Sequence, residues 1–66
     1  MKNNLKVLRA TANISQASLA EKIGVSRQTI NAMELGKYVP STVLALKLAA
    51  FFKKEVSEIF ELEASD

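Results

Sequence analysis

Residues 16–35, QASLAEKIGVSRQTINAMEL, read as two short helices joined by a tight turn. Gly24 follows the apolar positions Leu19 and Ile23, where the first of the two should stop, and glycine takes the left-handed conformation of a helix C-cap without a Cβ clash. Two residues on, the Ser26 side chain can accept from the free N–H groups of the next turn. That makes Arg27, Gln28 and Thr29 the exposed first turn of the second helix. Leu19, Ile23, Val25, Ile30 and Met33 fall where two steeply crossing helices bury side chains, with Ala20 small at the closest approach of the backbones. Helices of about eight residues are marginal in water, so the pair must rest on further elements.

The flanks supply them. Leu5, Leu8 and Ala12 recur at helical spacing from about Lys2, with Ile14 closing the segment, which predicts a first helix that turns Lys2 and Lys6 outward. Ser15 can cap the next helix, and Gly36 should end the one after it. Pro40 and Ser41 open a fourth, in which every residue from Val43 to Phe52 except Lys47 is apolar. A helix apolar on all sides needs cover on all sides, more than a 66-residue chain offers, so a second copy is expected against it. Val56, Ile59 and Phe60 suggest a short fifth helix. Ile59-Phe60-Glu61-Leu62 can instead extend as a strand pairing with its mate across a two-fold axis, and the sequence leaves both open. The expected dimer contacts are Val43, Leu46, Ala50, Ile59, Phe60 and Leu62; ordinary core is the alternative for Phe60 and Leu62. The organisation expected is one domain over residues 1–60, with its core motif at 16–35, and an acidic tail over 61–66.

Composition narrows the chemistry. Cysteine and histidine are both absent, which removes disulfides, thiol nucleophiles and the usual zinc ligands, suits a reducing cytoplasm, and leads us to expect neither metal nor cofactor. The carboxylates gather near the C-terminal end without a second chemical group or a Gly-rich phosphate loop, so no enzyme is expected. Met1-Lys2-Asn3-Asn4 leads straight into an amphipathic pattern with no apolar signal core. The longest apolar run, Leu48 to Phe52, is far short of the roughly twenty residues that span a bilayer, and a cytoplasmic chain without membrane contact is expected. Charge is divided unevenly: residues 1–54 hold all nine Lys and Arg against Glu21 and Glu34, a net +7, while residues 55–66 hold Glu55, Glu58, Glu61, Glu63 and Asp66, a net −5. A positive domain can neutralise phosphates and release counterions while a short acidic segment faces away, although stray surface charge is the plainer reading of the same numbers.

Gln16, Leu19, Ala20, Ile23-Gly24-Val25-Ser26, Ile30, Met33-Glu34 and Gly36-Lys37 together resemble the helix-turn-helix of the lambda repressor and Cro family, the XRE-like small regulators. Leu5-Lys6-Val7-Leu8-Arg9 resembles that family's first helix and Pro40-Ser41 through Phe60 its last two, so the resemblance covers nearly the whole chain. It implies an all-α, compact five-helix DNA-binding domain, with a short C-terminal strand at the dimer interface as the one alternative to helix. The third helix would enter the major groove. The resemblance also implies that Arg9 pairs with Glu34 as a structural ion pair, and that Gln16 touches the phosphate backbone while bracing Gln28. Two positions depart from the pattern. Ser18 stands where an acidic residue is common, and Lys53 where a glycine is usual, which implies a strained or differently shaped helix end.

Residue chemistry then assigns the expected contacts. Arg27 places a cation at a helix N-terminus, where the macrodipole disfavours it by a few tenths of a kcal/mol, and bound DNA would compensate. Arginine pairs bidentately with guanine O6 and N7 and glutamine with adenine N6 and N7, so Arg27 and Gln28 are the expected base readers. Thr29 and Asn31 are expected at a base or a phosphate, and Ala32 offers at most an apolar contact, leaving part of the specificity to groove shape. Gln16, Ser26, Lys37 and Tyr38 are the expected phosphate contacts, with Asn13 and Ser41 as weaker additions. The resulting expectation is a sequence-specific double-stranded DNA-binding regulator, a homodimeric repressor on a palindromic operator. The alternative is a protein-interaction module, such as an antitoxin or bridging factor, that binds another protein through the apolar helix and the tail.

Overall fold

A two-residue strand, β1 (Lys2–Asn3), precedes four helices, α1 (Leu5–Thr11), α2 (Gln16–Ile23), α3 (Arg27–Glu34) and α4 (Thr42–Phe52), and a final helix, α5 (Val56–Ile59), runs directly into a second strand, β2 (Phe60–Glu61). This is the arrangement of a computed structural model that describes all residues 1–66. No helix is long and apolar enough to cross a membrane.

The helix boundaries follow from local chemistry. Ser15, Ser26 and Ser41 each hold extended backbone and each accept, through Oγ, the N–H three residues on: Ser18, Thr29 and Leu44. Gly24 ends α2 at φ +87°, its N–H and that of Val25 both donating to the Ala20 carbonyl. Gly36 at φ +75° closes α3, with its own N–H on Met33 and that of Lys37 on Ala32, the paired bonds that satisfy the last carbonyls of a helix. Asn13 and Lys53, both at φ +55°, close α1 and α4 with the same pair of bonds. The expected departure at Lys53 is therefore strain and not a change of shape. A left-handed lysine carries a Cβ clash of about 1–2 kcal/mol that glycine lacks, partly offset by glycine's greater freedom when unfolded. Lys53→Gly is expected to raise stability by about 1 kcal/mol, a gain of roughly 4–8 °C in Tm by calorimetry or circular dichroism.

Eleven buried residues, all apolar, make the core: Leu5, Leu19, Ala20, Ile23, Ile30, Met33, Leu44, Leu48, Ala49, Ile59 and Phe60. The buried members of the motif are those its spacing predicted, and Val25 packs against them half-buried. No buried side-chain N or O lacks a partner.

The chain ends differ from the expectation. The first helix begins at Leu5, not near Lys2, because Lys2 and Asn3 pair antiparallel with Glu61 and Phe60. Asn3 enforces the break: its Oδ1 accepts from the Leu5 N–H at 3.1 Å and its Nδ2 donates to the Met33 carbonyl at 2.7 Å. An asparagine bonding backbone this way favours a turn over a helix interior. Ala12, expected on the inner stripe, is exposed beyond the end of α1. At the other end helix and strand occur in succession, and the strand pairs with β1 of its own chain. Ile59 and Phe60, expected at a dimer contact, lie in the protomer's core at 2 % and 8 % exposure. The acidic segment turns back on the N-terminus, with Glu63 and Asp66 carboxylates 3.0 and 3.2 Å from the Met1 ammonium.

Helix α4 is covered on one side only. Leu44, Leu48 and Ala49 are buried, whereas Val43, Leu46, Lys47 and Ala50 form an outward stripe, Val43 at 64 % and Leu46 at 56 % exposure.

Candidate nucleic-acid interface

The packing of α2 against α3 leaves the N-terminal end of α3 open to solvent, with Ser26, Arg27, Gln28 and Asn31 all exposed. Thr29 is half-buried, its hydroxyl 2.9 Å from Ser26 Oγ, and that same Ser26 oxygen accepts the Thr29 N–H at 3.1 Å. Both hydroxyls are thus engaged in capping. Ala32, one turn on from Gln28 along α3, is half-buried, while Lys37 and Tyr38 stand exposed in the loop after α3.

Behind the exposed end lies a polar network anchored on an ion pair. Arg9 grips Glu34 in a fork, Nε to Oε2 at 2.6 Å and Nη2 to Oε1 at 3.1 Å, and its Nη1 donates to the Ile14 carbonyl at 3.1 Å. The pair ties α1 to the end of α3, as the resemblance implied. Burial pushes the Glu34 carboxyl upward, but the hydrogen bonds from Arg9 and Gln16 and the charges of Arg9 and Lys6 outweigh it, holding the group below its ordinary value. The Glu34 hydrogen bond correspondingly raises Arg9.

Gln16, in the first turn of α2, extends the network. Its Nε2 donates to Glu34 Oε1 and to Asn31 Oδ1, each at 3.1 Å, and its Oε1 accepts from Arg27 Nη1 at 3.4 Å. The implied brace to Gln28 is absent: Gln16 reaches Asn31 and Arg27, because residues 27, 31 and 34 share the α3 face turned toward α2, and Gln28 lies off it. Residue types alone could not separate Gln28 from Asn31 as the partner. The helical spacing of 31 to 34 was the available signal.

Nothing at this surface encloses a substrate. Its exposed groups are donors and amides on one helix end, with a cation at Arg27, and of the C-terminal carboxylates Glu63 and Asp66 are drawn to Met1. Such a surface suits a polyanion with hydrogen-bonding edges.

Comparison with known proteins agrees. Residues 5–59 match the family described as helix-turn-helix. An uncharacterised HTH-type transcriptional regulator of Methanocaldococcus jannaschii is 56 % identical over 63 residues, covering 96 % of each chain. A second such regulator, from Bacillus subtilis, is 49 % identical over the same length and coverage. Among solved structures, the SOS-response transcriptional repressor LexA from Eubacterium rectale superposes with a TM-score of 0.82 at 30 % identity, over 96 % of this chain and 67 % of that one.

Proposed function

The chain belongs to the helix-turn-helix family of transcriptional regulators, and from that membership we propose that it acts in the cytoplasm as a homodimeric repressor, sequence-specific for a palindromic operator. The observation that carries this reading is the exposed end of α3, where Arg27, Gln28 and Asn31 stand together on a helix held from behind by α2 and the Arg9–Glu34 pair. Each copy sets α3 in the major groove, with half-sites about 34 Å apart. Arg27 pairs with guanine, Gln28 with adenine, and Ala32 and the Thr29 methyl face a thymine methyl. Ser26, Lys37 and Tyr38 track the phosphates, and Gln16 joins them through its backbone N–H at the start of α2, since its amide hydrogens are taken by Asn31 and Glu34. The exposed apolar stripe of α4, Val43, Leu46 and Ala50, with exposed Leu62, supports a second copy as its cover.

Titration against a pool of random duplexes at two salt concentrations, with sequencing of the retained DNA and the mass of the complex, tests this. Enrichment of a palindrome held by two chains is the expected result. Retention with no enriched sequence would overturn it and favour a partner protein as the occupant of α4. On the selected palindrome, Lys37→Ala should weaken binding alike for specific and scrambled duplexes and lower the slope of log affinity against log salt by about one for each copy bound.

A further inference from the structure

The C-terminal halves of α2 and α4 border an open groove lined by the apolar Ile23, Ala50 and Phe51 and by one lysine from each helix, Lys22 and Lys47. None of the residues assigned to DNA lines it, nor does any residue of the C-terminal segment. Lys22 sits in the last turn of α2, where the helix carbonyls favour a cation. Lys47 has no such local reason. It is the one charge in α4, its neighbours three and four positions away are Val43, Leu44, Ala50 and Phe51, and it forms no ion pair.

The complementary group is in the same chain. Of the carboxylates in residues 55–66, Glu55 and Glu58 close the capping box of α5, and Glu63 and Asp66 hold the Met1 ammonium. That leaves Glu61, which lies opposite Lys2 in the strand pair but forms no ion pair there. Beside it, Leu62 is the most exposed large apolar side chain of the protein, at 78 %. We propose that the groove seats Glu61-Leu62 of a second copy, with Leu62 against Ile23, Ala50 and Phe51 and the Glu61 carboxylate on Lys47. This rests on the homodimer proposed above and names what each copy inserts into the other. Across a two-fold axis the contact is made twice, each copy lending its segment and receiving its mate's. Pairing of the two α4 stripes alone would cover Lys47 with apolar groups and leave it uncompensated, because α4 has no carboxylate; the acidic segment supplies one. Pairing with β1 already holds Glu61 in place, so little ordering is lost on association.

Sedimentation equilibrium of the intact chain at low salt, free and on the selected palindrome, reads the dimer, and thermal melts verify that each variant folds. Lys47→Glu and Glu61→Lys should each weaken association about tenfold, because each brings like charges together at both symmetric contacts. Combined, they should return it to within about threefold of the parent. Leu62→Ala should weaken association about a hundredfold without lowering the melting temperature, and it reads the same contact without placing a second lysine opposite Lys2. An association unmoved by Leu62→Ala, or single charge reversals that the double variant does not repair, would overturn the seat while leaving a homodimer assembled another way. A chain that stays monomeric both free and on the palindrome is a different outcome: it removes the homodimer itself, and this inference with it.

Discussion

Arg27→Ala combined with Gln28→Ala is expected to lower affinity for the selected palindrome by about 10³-fold or more while leaving the fold unchanged. Two bidentate base contacts per copy, each worth about 1–3 kcal/mol of discrimination, make four in a dimer, and even the low end amounts to about 4 kcal/mol. The fold should tolerate the change because both side chains are exposed and the one bond Arg27 makes within the chain is long, at 3.4 Å. Alanine is also the better helix former, and removing a cation from the α3 N-terminus relieves an unfavourable dipole interaction. Melting temperature should therefore hold or rise slightly. Fluorescence anisotropy on the palindrome and on a scrambled duplex, beside a thermal melt, measures both effects. An equal loss on the two duplexes would mean that the pair contacts only phosphate, which would defeat the base-reading role.

Much of this surface was legible in the sequence because the residues that build it act locally. Gly24 and Gly36 needed left-handed backbone, and Ser15, Ser26 and Ser41 carried caps within three residues of themselves, so the helix ends could be read from short windows. The Arg9–Glu34 pair spans 25 positions and was implied only by the resemblance. What escaped depends on contacts between the chain ends. Lys2 and Asn3 have no strand pattern of their own, and they become a strand because α5 delivers Phe60 and Glu61 beside them. That pairing is also why Ile59 and Phe60 are buried in the protomer, a result no window around residue 60 contains. The apolar run of α4 was plain, but which of its faces the protomer covers was decided by packing: Leu48 is fully buried and Leu46, two residues away, is exposed.

Glu34→Ala should have the largest effect on stability, about 3 kcal/mol, because it leaves the Arg9 guanidinium as an unpaired charge at 17 % side-chain exposure beside the core. A domain of this size holds roughly 3–10 kcal/mol in total, so the variant should be partly unfolded or nearly so. Acid should act on the same contact in the parent protein. The folded carboxyl lies below its ordinary value of 4.5, so its stabilisation is present above that pH and is lost as pH falls through it toward the folded value. Urea midpoints of the parent protein and Glu34→Ala, apart at neutral pH, should therefore converge as pH falls below 4.5 and through the lowered folded value. A gap that persists in acid would show that lost packing, not lost charge, causes the instability. Replacing both partners, Arg9→Met with Glu34→Leu, leaves no uncompensated charge and should recover most of the stability at neutral pH. It also removes the carboxylate to which the Gln16 amide donates behind Asn31 and Arg27, so the recovered protein should bind the selected palindrome more weakly than the parent. Stability regained with affinity still lowered would separate the two roles of the ion pair, holding α1 to α3 and anchoring Gln16 behind the reading surface.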